Sequence, residues 1–580
     1  MAVDTGDKVT RKYKSFRGVD FRGEECSLNR SPDSLNVWRN YKKLSNIETR
    51  PGLEHFYTYQ NGVRSMMWHD NKLYFTSNDG FIHALNSDGS VLYEIAKVGS
   101  TPVLFKFNGT LYAKGEEDYI DVTSKQTVTP YIPTTRISGK VVLDSDAPSS
   151  GGTKHEDVNM LSDYRINTFY ASDEEVGLVL WLDTKPIDND FKPVVTINDS
   201  PVTNFQVDYA KGKIVLAEAP PAPNTVGQDN ISVKFKKHVD GYSESILKCT
   251  MVTEFDNRVF FSGNPGYPST VWHSSLHDPT YCSDLDYYVD GVDESPIRSM
   301  VAGNNGLWVF KDESEANSSV YYHTPTIDSE YGKVYPSSHS SISLGCVGRA
   351  INFNDDIVFF SPRGMEGAST DITTEQFATH RSSLVDRKLL VHPKYKDMIL
   401  TEWEGYLLVF MGKDVYLADS RAVLTNENHI EYEWYHWNLG RYDVTCAAVH
   451  DGVLYIGTGE GHIYSLTREA KNGDGHKDIT MPIESYWTTP KDNFGAPNKL
   501  KTTNKKGCVV EAIGDVAVSV KTDDDKEYEL IGTNEGIDDY FVSRIKRKKF
   551  KDIQLKFESK TAFSLEAASL ECFIGGYIKR

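Results

Sequence analysis

His450-Asp451-Gly452-Val453-Leu454-Tyr455-Ile456, followed by Gly461-His462-Ile463-Tyr464-Ser465-Leu466, returns without a gap as His69-Asp70-Asn71-Lys72-Leu73-Tyr74-Phe75 and Gly80-Phe81-Ile82-His83-Ala84-Leu85. Each copy places a polar turn before a strand of alternating apolar residues. A second turn, closed by Gly where a positive φ costs little, leads into a second alternating strand. That is an antiparallel hairpin. One hairpin cannot bury its apolar face in water, so a hairpin that recurs along a chain implies neighbours that cover one another.

Weaker copies lie between these two. Asn108-Gly109-Thr110-Leu111-Tyr112-Ala113, Phe255-Asp256-Asn257-Arg258-Val259-Phe260-Phe261, Asn304-Asn305-Gly306-Leu307-Trp308-Val309-Phe310, Asn354-Asp355-Asp356-Ile357-Val358-Phe359-Phe360 and Glu404-Gly405-Tyr406-Leu407-Leu408-Val409-Phe410 share the pattern. Apart from one long gap they recur about every 40 to 50 residues, the period of radial β-sheet blades. The expectation is an all-β chain with a β-propeller of about seven blades over residues 55–135 and 243–490; the alternative is a set of separate hairpins in an open sandwich.

The gap, residues 136–242, reads as short strands divided by Pro-rich and Asp-rich turns such as Ala219-Pro220-Pro221-Ala222-Pro223. This is the pattern of a small β-sandwich inserted at a junction. Beyond Asn493-Phe494-Gly495-Ala496-Pro497 the strands change style, and residues 491–580 are expected to form a C-terminal β-sandwich. Residues 1–54 form a basic arm or clasp, with Lys8, Arg11, Lys12, Lys14, Arg17 and Arg22. Such an arm is either solvated or docked on an acidic partner.

Composition agrees with a large all-β protein. The 580 residues are 12% aromatic, with 33 Tyr and 26 Phe, which suits half-buried pleated surfaces. Seven scattered cysteines give neither a disulfide framework nor a zinc cluster and are expected to be reduced. No apolar run approaches membrane-spanning length, and Met1-Ala2-Val3-Asp4 does not open a signal peptide. The expected location is therefore a cytoplasm, or release from one by lysis. The formal net charge of −19, from 63 basic and 82 acidic residues, disfavours nucleic-acid binding except where basic groups concentrate.

Within the clasp, Phe16-Arg17-Gly18-Val19-Asp20 precedes Arg30-Ser31-Pro32-Asp33-Ser34-Leu35-Asn36-Val37-Trp38, and then Thr49-Arg50-Pro51-Gly52-Leu53. Ser31-Pro32-Asp33 and Arg50-Pro51-Gly52 carry turn chemistry. This order, RGVD, SPDSLNV, a short strand and RPGL, resembles the start of a group of tailed-bacteriophage virion proteins. The group includes nozzle and hub proteins of short-tailed phages, and related neck and tail structural proteins occur in long-tailed phages. Ser262-Gly263-Asn264-Pro265, Asp278-Pro279-Thr280-Tyr281, Arg421 and the aromatic run Tyr432-Glu433-Trp434-Tyr435-His436-Trp437 fit the same group. The insert resembles inserted β-domains of long-tailed phage proteins.

The resemblance implies a structural virion protein, assembled in the host cytoplasm, whose subunits form a ring (sixfold in the group) at the neck or tail. Portal, adaptor or tail-tube proteins would be its neighbours. The genome would pass through the ring without sequence-specific binding, and an acidic channel would repel its phosphates. It also implies a clasp role for Arg17, Gly18, Asp20, Ser31, Pro32, Asp33, Asn36, Arg50, Pro51 and Gly52.

A host-binding adhesin with aromatic propeller loops, and a propeller-type glycan-processing enzyme, are the alternative functions. His273 and His277 lie four apart, but in a strand-rich stretch with no third ligand nearby. Asp284, Asp286, Asp290, Asp293 and Glu294 lack EF-hand spacing, and Asp523-Asp524-Asp525 reads as a turn. No phosphate loop, nucleophile elbow or metalloprotease helix is present. The reading therefore assigns no catalytic residue, metal or cofactor. Arg544, Lys546, Arg547, Lys548, Lys549 and Lys551, six cations within eight residues, form the candidate subunit interface. The plain alternative is that they solubilise a strand.

Overall fold

The computed structural model describes residues 7–39, 41, 46–137, 156–171, 179–291, 295–303, 305–314, 318–329, 332–339, 344–368, 378–426, 429–467, 477–523, 525–535, 540–546 and 549–577. Strands dominate. Among the described residues the helices are Tyr242–Leu247 and Asp386–Leu389, both too short to have left a helical period in the sequence. Two compact units divide the chain, one of Met1–Ile95, Gly303–Tyr322 and Ser338–Arg580, the other of Ala96–Ala302 and His323–Ser337.

The recurring polar pairs of the sequence become tight turns of one type. Asp70 and Asn71 have φ of 44° and 57°, Asp256 and Asn257 of 52° and 57°, and Asp451 and Gly452 of 48° and 76°. The pairs 108–109, 354–355 and 404–405 also have both φ values positive. A two-residue turn with positive φ at both positions matches the right-handed twist of the strands it joins, and Asn, Asp and Gly tolerate it best. Each turn fixes its register: His69 faces Lys72, Phe255 faces Arg258, Trp403 faces Tyr406 and His450 faces Val453.

In the first unit these hairpins extend into four-stranded antiparallel sheets. One runs Val63–His69, Lys72–Ser77, Phe81–Asn86 and Leu92–Lys97; others run in sequence order from Ala350 to His380 and from Ile399 to Asn438. The sheet of Val444–His450, Val453–Thr458 and His462–Leu466 takes its fourth strand from Glu54–Thr58, nearly four hundred residues earlier. The central hairpin strands are buried on both faces, as Tyr406–Met411 is throughout its length.

The C-terminal strands belong to an 11-stranded sheet that also includes Asp7–Lys14, Ser34–Leu35, Val37–Arg39 and Ile47–Thr49. Its axis is the 24-residue strand Lys499–Thr522, which pairs with the 15-residue terminal strand Phe563–Tyr577. On the far side of that terminal strand lies Asp7–Lys14, in an eight-residue antiparallel register. Val510, Val518, Leu555, Phe557 and Leu570 form one core with Trp38, Trp403, Tyr406 and Trp437, so the arm, the C-terminal strands and the 399–438 sheet exclude water together.

In the second unit, Val103–Phe107, Thr110–Lys114, Tyr119–Asp121 and Gln126–Thr127 form one sheet, and Met251–Phe255, Arg258–Ser262, Thr270–His273 and Tyr287–Val289 form another. The stretch between them gives a five-stranded and a three-stranded sheet over a shared core that includes Phe169, Leu180, Ile214, Val233 and Phe235. Asn159 and Met160 lie within residues 136–242 but pack elsewhere. Met160 joins Phe105, Ile246 and Cys282, and the buried Asn159 amide donates to Tyr131 O and Thr280 O at 2.8 Å each.

Candidate functional site

The clasp residues gather on the 399–438 sheet and the C-terminal strands. At Gly18 (φ 76°) an added Cβ would lie 2.2 Å from Trp434 O, and the next amide, Val19 N, donates to that oxygen at 2.7 Å. Only Gly lets the arm lie this close to the receiving strand. Arg17 is half-exposed beside the buried Glu433, at 3.8 Å. Asp20 N donates to Ser31 O. Burial of Asp20 would raise its pKa, yet hydrogen bonds from Arg22 outweigh this and hold the carboxyl below its ordinary value. Ser31 Oγ donates to Thr488 O at 2.7 Å and receives Asp33 N at 3.3 Å; between them Pro32 is half-buried. Asp33 is exposed and accepts from Tyr486 and Lys388.

Arg50 is the centre of this arrangement. It is 1% exposed, and its five N–H groups all have acceptors. Nε donates to Asn36 Oδ1 (2.9 Å), Nη1 to Asp478 Oδ1 and Pro51 O (2.9 Å each), and Nη2 to Asp478 Oδ2 (2.5 Å) and Asn438 O (3.1 Å). Asn36, held at φ 57°, also accepts from Asn438 N and donates to Glu484 O. Asp478 Oδ1 accepts from Leu53 N at 3.2 Å. Gly52 is the second close approach: a Cβ there would lie 2.1 Å from Lys477 O. A bidentate, desolvated Arg–Asp pair with every donor satisfied fixes register more than it adds stability, and breaking it is costly.

The partners of this node were not legible. Asp478 and Asn438 carry no local motif, and they meet Arg50 only through the fold. Trp434 lies in the aromatic run that the sequence marked, and its backbone, not its ring, receives Val19.

Of the basic run, Arg544, Lys546, Lys549 and Lys551 are exposed, with Ile545 and Phe550 buried between them. Lys546 lies 3.4 Å from Glu529. The backbone N–H of Lys551 donates to Asp523 Oδ1 at 2.6 Å. Arg547, Lys548, Asp524, Asp293 and Glu294 lie outside the described residues.

Of the other residues singled out, His273 and Asp286 come within 3.9 Å of each other, and they form no ligand set with the rest. His273 is buried between Ser274 O (3.0 Å) and the Tyr288 hydroxyl (3.4 Å), and burial lowers its pKa to about 4, whereas His277 is exposed in a turn. Asp290 is buried against His323 Nε2 at 2.9 Å. Asp284 accepts from Tyr242 instead. Burial raises Asp286 to about 6. No group of three His, Cys, Asp or Glu among the described residues could hold a metal ion, and no helix among them is long and apolar enough to cross a membrane. His380 sits between Glu366 Oε1 (2.9 Å) and Asp386 Oδ2 (2.5 Å). Burial disfavours its charge, but the two carboxylates prevail and raise its pKa to about 10, so it is an imidazolium at neutral pH and not a general base there.

No family model matches this chain, and no curated protein is significantly similar to it. Among solved structures, the computationally designed Ika8 protein aligns at 9% identity over 71% of this chain and 99% of its own, with a TM-score of 0.33. That likeness carries no argument about fold or function.

Proposed function

We propose that this chain is a structural virion protein of a tailed bacteriophage, assembling as a ring in the neck or tail that forms part of the DNA exit channel and helps retain and then eject the genome. The observation that carries this reading is the clasp. The RGVD, SPDSLNV and RPGL segments that resemble the phage group are the ones whose Gly18, Ser31, Asn36 and Arg50 make specific, mostly buried contacts. A resemblance at positions the fold depends on supports kinship better than one at freely variable surface positions.

The recurring two-residue turns and four-stranded sheets support a propeller of about seven blades over residues 55–135 and 243–490, with a small inserted β-sandwich and a C-terminal β-sandwich. The fourth strand that Glu54–Thr58 gives to the 444–466 sheet is the kind of ring closure that removes an exposed edge. The formal charge of −19 suits a channel wall over which phosphates slide without adhering. Portal, adaptor or tail-tube proteins are the expected neighbours, and the ring is expected to be sixfold.

Electron microscopy of the purified full-length chain tests the reading. Rings of one cyclic symmetry are expected at micromolar concentration; particles that stay monomeric at every concentration and salt would refute it.

A further inference from the structure

Two basic segments more than five hundred residues apart share one sheet face. Residues directly opposed in a sheet project to the same side, so the pairings define rows. Lys8 faces Phe573, which faces Thr502, which faces Lys549. Lys12 faces Ser569, then Val509, then Val542; Lys14 faces Ala567, then Glu511, then Tyr540. Arg544 is exposed like Tyr540 and Val542, continuing their alternation. The opposite side of the same strands carries Tyr13, Ala568 and Val510, which are buried in the core.

This face therefore has lysines along one margin, from the arm, and Arg544 and Lys549 along the other. On that second margin Tyr540 is 57% and Val542 46% exposed beside Arg544; between the margins stand Phe573, Ser569, Val509, Ala567 and Glu511, and Ile513, 43% exposed, follows Glu511 on the same side. Lys12, Lys14, Arg544 and Lys549 have no ion pair among the described residues; Lys8 is balanced by Glu571, and Glu511 is the acid in the middle rows. Lysines on the free edge of Asp7–Lys14 would by themselves be protection against edge-to-edge pairing. Exposed Tyr, Val and Ile on the same face are the opposite of protection, and exposed apolar side chains set among cations are the composition of a protein interface.

We propose that this composite face docks on the acidic flank of a second copy of this chain. Charge complementarity selects that occupant, because the chain is formally −19 overall while this face is cationic. Its aromatic rings, Tyr540, the half-buried Phe573 and Tyr577, stand in separate rows among aliphatic and charged side chains, where a nucleic-acid site would need a continuous run of stacking platforms. A cationic face meeting a different, acidic face is a head-to-tail contact, which closes into a ring when the rotation allows. The inference rests on the ring reading above and assigns its adhesive surface.

The test is sedimentation of the full-length wild type, of Lys12→Gln/Lys14→Gln/Arg544→Gln/Lys549→Gln, and of Tyr540→Ser/Val542→Ser, with melting curves to confirm folding. Each variant is expected to raise the dissociation concentration roughly tenfold or more. Salt should weaken the wild-type assembly and have little effect on the quadruple variant. Wild-type assembly with both folded variants unchanged overturns the docking face and leaves the ring intact. A wild type that never assembles overturns the ring reading and this inference together. Fluorescence anisotropy with duplex DNA provides the second measurement: tight binding that the quadruple variant abolishes, without a change in assembly, would assign the face to nucleic acid and reject the proposal.

Discussion

Replacing Arg50 with Ala is the most direct perturbation of the clasp. The substitution removes five hydrogen bonds and leaves the buried Asp478 carboxylate with Leu53 N as its remaining hydrogen-bond donor. Removing one member of a buried pair costs about 3–5 kcal/mol, mainly because the other charge stays desolvated. At roughly 2 °C per kcal/mol for a unit of this size, calorimetry should record a transition lowered by about 6–10 °C. Arg50→Lys keeps the charge but not the bidentate fork, and an intermediate loss of about 1–3 kcal/mol is expected. The companion measurement is a double-mutant cycle with Asp478→Ala. If the pair is a unit, the double variant should melt near the less stable single one, with coupling of roughly 2 kcal/mol or more. A melting point for Arg50→Ala within about 1 °C of wild type, or strictly additive losses, would show that the node is not what holds residues 36–53 in place.

Gly18→Ala forces a Cβ to 2.2 Å from Trp434 O at a φ of 76°, so a loss of roughly 1–3 kcal/mol and faster proteolysis of the arm are expected, read by limited digestion. His380 is held charged by its two carboxylates, with a folded pKa near 10 against an ordinary 6.5. Its stabilisation should be complete below about pH 6.5 and disappear as pH rises through about 10. The melting difference between wild type and His380→Gln should follow that course, and a difference that grows toward alkaline pH would reject it. In the second unit Lys237 N donates to Asp163 O at 2.9 Å, so a short Gly-Ser linker can replace residues 164–236 once Ile137, which the deletion leaves without its strand partner and its core, is changed to Ser. That protein should stay soluble and melt cooperatively, whereas Asn159→Ala, which strips acceptors and donors from Tyr131, Thr280 and Cys282, should cost about 2–3 kcal/mol by thermal melting.

The turns were legible because their chemistry is local. A pair such as Asp70-Asn71 or Asp256-Asn257 reveals its own backbone, since few residues accept positive φ twice in succession. The strands of the insert were legible for a similar reason, their alternation being set by burial on one face. Partners were not legible where pairing spans the chain. Nothing near Glu54 indicates that His462–Leu466 is its neighbour, and nothing in Lys8, Lys12 and Lys14 points to Tyr540 and Arg544. The basic run looked like one continuous patch from its spacing; the fold instead buries Ile545 and Phe550 and leaves Arg544, Lys546 and Lys549 exposed. Asp478 had no distinguishing neighbour at all, because its role comes from a guanidinium delivered by another part of the chain.

The pairing of Asp7–Lys14 with the strand ending at Tyr577 has a consequence for how the protein is made. Asp7–Lys14 and Glu54–Thr58 are made several hundred residues before the strands they pair with, Phe563–Tyr577 and His462–Leu466. At about 5–20 residues per second, the arm waits on the order of 25–100 s before its last partner exists. For most of that time Phe16 and Trp38, both destined for the core, lack the rings that cover them, Trp487 for Phe16 and Trp403 and Trp437 for Trp38. A polypeptide that stops before residue 567 lacks every residue against which Asp7–Lys14 pairs.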